Sequence, residues 1–161
     1  MVMRILSEGV SSKNKALTRG GRIVKYSALS LPAQLAIYNF MAVHGEAWDN
    51  LGAPSKSVIA KVVKSHANVK FGYAVIPMAR LVRAIETRKE SDLYIDFIKD
   101  GGTFEDYHKW YIKQGLPSHG AGKRWPVILS GFNEEVIEDG WHRFHLYYKQ
   151  GAKKIPIIWF P

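Results

Sequence analysis

Residues 126–160, PVILSGFNEEVIEDGWHRFHLYYKQGAKKIPIIWF, read as strand, turn, strand, glycine turn, helix and strand. Trp125–Ser130 and Ile155–Phe160 are short apolar runs bounded by turn residues, the pattern of buried strands. Phe132-Asn133 supplies the first turn and Glu135–Glu138 a short return strand. His142–Gln150 is helical and closed by Gly151. Strands and helices in this irregular succession predict an α+β fold. At the centre lies Asp139-Gly140-Trp141-His142-Arg143, where a carboxylate, an imidazole and a guanidinium fall within five positions.

Upstream of this stretch the signals are helical. Leu31–Trp48 has an apolar face at Leu35, Tyr38 and Ala42, widened by Ile37, Phe40 and Met41. Ser30 is the expected N-cap, Pro32 suits the first turn, and Gly45 is expected to end the helix in a left-handed conformation. Ser57–Ser65 reads as a helix with Ile59, Val62 and Val63 inward, although its β-branched content also allows a strand. Phe71–Pro77 is a short buried strand. Met78–Thr87 carries Arg80, Arg83 and Arg88 at helical spacing. They form either a phosphate-facing row or the solvated side of a helix whose core residues are Leu81, Val82 and Ile85. Ser91–Lys99 and Phe104–Gln114 are further amphipathic helices. Thr103 and Asp106 have the spacing of a capping box, and Gly115 marks the stop. Pro117–Arg124 is a glycine-containing loop with two cations, Lys123 and Arg124.

Lys and Arg outnumber Asp and Glu by 23 to 14, a formal charge of +9. A balance this basic favours polyanions: nucleic acid, nucleotide phosphates or an anionic surface. Residues 7–22 are rich in Ser, Gly, Lys and Arg and read as a mobile basic arm. Its Lys13, Lys15, Arg19 and Arg22, with Arg80 and Arg83 further on, are the candidate nucleic-acid contacts. The chain has no cysteine, which excludes disulfides, thiol catalysis and thiolate zinc sites. No apolar run approaches the roughly 20 residues that span a bilayer, and Met1–Arg22 lacks the apolar core of a signal peptide. A cytoplasmic protein without a membrane partner is expected.

From Tyr111 onward the pattern is similar to the ParB/sulfiredoxin superfamily. A helix ending in glycine (Tyr111-Ile112-Lys113-Gln114-Gly115) precedes a strand (Trp125-Pro126-Val127-Ile128-Leu129). Then come a strand running into a glycine turn (Val136-Ile137-Glu138-Asp139-Gly140-Trp141-His142-Arg143), a second helix ending in glycine (Tyr147-Tyr148-Lys149-Gln150-Gly151) and a last strand (Ile155-Pro156-Ile157-Ile158). The resemblance extends over roughly residues 71–160 and implies a small mixed sheet with flanking helices. It divides the chain into a basic arm with a helical extension, 1–65, and a ParB-like domain, 66–161. The gap between Gly115 and Trp125 is longer than in the family. Trp141 occupies the position of the sulfiredoxin cysteine, so that reaction is excluded. What remains resembles a stand-alone ParB-like domain, a kind found in phage and plasmid proteins and linked to nucleotide binding, NTP hydrolysis, DNA cleavage and ADP-dependent phosphorylation.

The glycine turn suits phosphate. A helix N-terminus presents unpaired N–H groups and partial positive charge. Gly140 permits close approach of an anion, Arg143 is able to donate two parallel bonds, and His142 is able to bond a phosphate oxygen or transfer a proton. Asp139 and His142 are the candidate catalytic pair, with Mg2+ as a candidate cofactor held through Asp139. Gly140, Trp141, His142, Arg143, Lys123 and Arg124 are the candidate contacts of a nucleotide such as ATP, ADP or CTP; Trp141 is placed to stack on a base. The opposing reading makes Asp139 an N-cap and Arg143 the partner of Asp106 or Glu138. His145 is expected to be structural, His108 and His119 stand alone, and Glu134 and Glu135 are turn charges. The functional expectation is a phosphate-binding protein that acts on or binds nucleic acid, as a Mg2+-dependent nuclease or NTPase. The alternatives are a non-catalytic DNA-binding module, an effector of a host protein, and a small-molecule kinase.

Overall fold

Alternation in Lys70–Pro77 decides which residues each layer receives: Phe71 and Tyr73 point to one side of the sheet, Ala74 and Ile76 in steps of two to the other. The computed structural model describes residues 21–45, 48–88, 92–115, 124–131 and 135–161. Lys13, Lys15, Arg19, His119, Lys123, Glu134 and the Phe132-Asn133 turn lie outside the described residues. The elements in chain order are β1 (Gly21–Lys25), a 3-10 turn (Tyr26–Ala28), α1 (Leu31–His44), α2 (Lys56–His66), β2 (Lys70–Pro77) and α3 (Met78–Arg88). Then follow α4 (Asp92–Lys99), α5 (Phe104–Lys113), β3 (Val127–Leu129), β4 (Ile137–Asp139), α6 (Trp141–Lys149) and β5 (Lys154–Trp159).

The fold is α+β, with a five-stranded mixed sheet in the order β1-β2-β5-β3-β4. β5 runs antiparallel to β2 and parallel to β3, and β4 returns antiparallel to β3. The central place of β5 follows from its sequence, since Ile155, Ile157, Ile158 and Trp159 are buried on both faces. On one face α3, α4, α5 and α6 enclose Ala74, Ile76, Val127, Leu129, Ile155, Ile157 and Trp159. On the other, α1, α2 and the 3-10 turn enclose Phe71, Ile128 and Ile158. Residues expected to form an N-terminal extension therefore supply an edge strand and a full layer to the same sheet. Arg22, expected on a mobile arm, sits in β1, paired with Tyr73. Among the described residues no helix is long and apolar enough to cross a membrane.

Local chemistry accounts for the helix ends. The Ser30 hydroxyl accepts from the Ala33 N–H of α1, and Ser55 from the Val58 N–H of α2, which settles the latter segment as helix. The Thr103–Asp106 capping box is complete: the Thr103 N–H donates to Asp106 Oδ2 at 2.9 Å and the Asp106 N–H to Thr103 Oγ1 at 3.2 Å. Gly45 ends α1 by a different route from the one expected. Its φ of −95° and ψ of 120° are extended, and its N–H donates to Met41 O at 2.7 Å. Gly72 answers a packing demand: a Cβ there would overlap the Trp159 indole, its partner across the β2–β5 ladder.

Candidate functional site

β4 ends at Asp139, and the chain reverses into α6 through Gly140, whose φ of 98° and ψ of 25° are left-handed. That conformation disfavours any side chain. Gly140 itself is the N-cap, with no side-chain hydrogen bond, so Asp139 does not cap the helix as the opposing reading expected. Asp139 faces Arg143, whose terminal nitrogen donates to Asp139 Oδ2 at 3.2 Å. Arg143 Nε donates to Pro126 O at 3.1 Å, and the guanidinium lies 5.8 Å from the centre of a Trp125 ring. The Arg143 side chain is only 7% exposed. A Cβ on Gly140 would fall 2.7 Å from its terminal nitrogen, so the bare glycine is also what lets the guanidinium fold back under the turn. Arg143 thus ties α6 to the start of β3 and the end of β4 rather than projecting into solvent. Neither Asp106 nor Glu138 is its ion-pair partner.

His142 is exposed on the first turn of α6, edge-on to Tyr111 at 5.7 Å. Trp141 is half-buried, packed edge-on against Phe144 at 6.2 Å. Arg124 is exposed just ahead of β3. Arg80 forms an ion pair with Glu135, and Arg83 is exposed beside a groove that also holds Glu86, Glu105 and Lys153. The side chain of Arg88 lies outside the described residues. The arginines of α3 are therefore interleaved with carboxylates. Among the described residues no group of three or more His, Asp or Glu is arranged to hold a metal ion.

One cluster joins residues that the sequence left apart. His108 of α5 and His145 of α6 are buried with their Nδ1 atoms 2.9 Å apart. Tyr111 stacks on His145 at 3.8 Å, and Tyr148 packs edge-on against His108 at 4.4 Å. Burial pushes the His145 imidazole down to about 3, helped by His108 and His142 nearby. Burial also lowers His108, against an opposing pull from Glu105. Both rings are neutral at neutral pH, and one Nδ1–H donates to the lone pair of the other. His145 is structural, as expected, but His108 is its partner rather than an isolated residue. A separation of 37 positions hid the pairing.

A second feature lies in the distribution of charge. Residues 1–85 carry twelve Lys and Arg against three Asp and Glu, whereas residues 86–161 carry eleven of each. The whole excess of +9 therefore belongs to the first half. In the fold this half presents Lys56, Lys61 and Lys64 on the exposed side of α2, opposite its buried Val58, Ile59 and Val62. The C-terminal end of α2 leads to the end of the β1–β2 ladder, where Tyr26 N–H donates to Val69 O and Ser27 N–H to Ala67 O. There Lys25 and Lys70 are exposed and directly opposite one another across the ladder. Among the described residues between 21 and 85, Asp49 is the only acid. A block count of charges along the chain would have revealed this basic half.

The chain has no significant match to any family model, curated protein or solved structure.

Proposed function

We propose that this protein binds nucleic acid, through phosphate contacts made by the exposed cations of α2 and the β1–β2 edge. The observations that carry the proposal are the exposed Lys25–Lys70 pair across the ladder and the exposed Lys56, Lys61 and Lys64 of α2, all in the part of the chain that holds the whole excess of positive charge. Like charges directly opposite on a sheet are destabilising, and an anion lying across them removes the penalty. A polyphosphate backbone supplies many such anions at regular spacing. The arm residues Lys13, Lys15 and Arg19 add to the same half of the charge distribution.

The test is a binding titration with a labelled DNA duplex over a range of salt concentrations. The logarithm of affinity should fall linearly with that of salt, with a slope near −0.9 per phosphate contact. The double variant Lys61→Glu/Lys64→Glu should reduce the slope by about 2 without altering thermal stability. No binding of either a duplex or a single strand at low salt, or an unchanged slope in the variant, would overturn the proposal.

A second reading places a nucleotide or a scissile phosphate at the Asp139–Arg143 turn, with Mg2+ as cofactor, as the ParB-like pattern implies. Exposed His142 beside left-handed Gly140 favours it. Arg143 would serve that reading by holding the turn rather than by touching phosphate, since its side chain is turned inward. The measurement is Mg2+-dependent loss of DNA or of ATP, CTP or GTP. Turnover that His142→Ala abolishes assigns chemistry to the turn, and absence of turnover leaves a binding module.

A further inference from the structure

Residues paired across a ladder lie on the same side of the sheet. Tyr73 stands opposite Arg22 on β1 and Ile158 on β5, Val75 opposite Pro156, and Pro77 opposite Lys154. All of these share the side that α1 and α2 cover around Phe71, Ile128 and Ile158. The cover is incomplete. Val75 is 45% exposed, Arg22, Pro77 and Lys154 are exposed, and Tyr73 and Pro156 are half-buried. A strip of sheet is thus left open from Tyr73 to Pro77, about 14 Å long at the ordinary strand rise. Its floor is an aromatic ring, a branched aliphatic side chain and two prolines. A cation stands on each flanking strand, Arg22 on β1 and Lys154 on β5, and no acid lies among these paired positions. The Arg22 guanidinium lies over the Tyr73 ring, 5.5 Å from its centre.

We propose that this strip is a platform for single-stranded nucleic acid, with unpaired bases against Tyr73, Val75 and the prolines, and phosphates on Arg22 and Lys154. The inference rests on the nucleic-acid reading above and deepens it by naming the strand form. An apolar strip offers nothing to a duplex, whose bases are stacked inside and whose outer surface is phosphate and sugar. Bases of a single strand expose their faces, and these stack on tyrosine rings and on guanidinium planes with little regard to sequence. Arg22 over Tyr73 is an arrangement of that kind with one layer still to be added. The position of the cations on both flanking strands favours a polyanion crossing the sheet over an apolar protein partner or a second copy of the chain.

The experiment compares a labelled oligo-dT with a duplex of equal length on the full chain, in the wild type, Val75→Glu, Tyr73→Leu and Lys61→Glu/Lys64→Glu. Val75 is exposed, so a glutamate there leaves the core intact, and melting curves check that each variant folds. The wild type should bind the single strand roughly tenfold more tightly than the duplex, the size expected of base stacking on one ring. Val75→Glu and Tyr73→Leu should erase that preference while duplex binding persists. Equal affinity for the two forms, or a preference that survives both substitutions, overturns the platform and leaves the nucleic-acid reading standing. A wild type that binds neither form overturns both. Self-association that Val75→Glu abolishes, without any single-strand preference, would assign the strip to a second copy and also overturn the platform.

Discussion

At the scale of single residues the glycine turn is a structural joint. Gly140 takes a backbone conformation that a side chain resists, and it leaves room for Arg143 to reach Asp139 and Pro126 O. Replacing Arg143 by Ala removes both bonds and strips a buried carbonyl of its donor. The expected cost is about 2–3 kcal/mol, below that of a fully buried ion pair because Asp139 can rehydrate. Urea unfolding would measure it, and a loss under about half a kilocalorie per mole would mean that the latch does not hold the turn. The dense grouping of Asp139, His142 and Arg143 was legible in the sequence. Which of them turns inward was not, because helix and turn propensities say nothing of the Pro126 carbonyl, which reaches Arg143 only when β3 and α6 pack.

At the scale of elements, α5 and α6 meet through the His108–His145 pair. Two protonated rings would oppose donor to donor at 2.9 Å, so the contact requires at least one neutral imidazole. His145 is held down to about 3, chiefly by burial, while an unfolded histidine titrates near 6.5. The unfolded state therefore takes up the proton first. Stability from this pair is complete above about pH 6.5 and declines as pH falls from there toward 3, by at most about 1.4 kcal/mol per pH unit for one histidine. Glu105, Lys149 and His142 are the charged groups that tune the pair. Denaturant unfolding at a series of pH values should show this slope, and His145→Phe should flatten it. A wild-type profile flat between pH 7 and 4 would sink the assignment. The helices themselves were readable from their 3.6-residue periodicity and from the Thr103–Asp106 box. β1 was not, since its five residues, Gly21-Arg22-Ile23-Val24-Lys25, look like the end of a basic arm until β2 supplies the ladder.

For the whole molecule, two layers of helices share one sheet, and the excess of positive charge is confined to one part of the chain. The salt titration and the Lys61→Glu/Lys64→Glu variant belong to this scale, because long-range attraction depends on summed charge more than on any single contact. The strip from Tyr73 to Pro77 belongs here too, because its exposure depends on how much of the sheet the layer above Phe71, Ile128 and Ile158 covers. The α+β class, most element positions, the capping chemistry, the glycine turn and the net charge were legible in the chain alone. All of these follow from periodicity, turn chemistry and counting, which are local or additive. Packing decided that β1 completes the sheet, that Arg143 is buried and His142 exposed, that His108 meets His145, and that Arg22 and Lys154 flank an open strip. Each of these depends on which distant segments pack together, and burial and pairing are properties of that packing rather than of any stretch of chain.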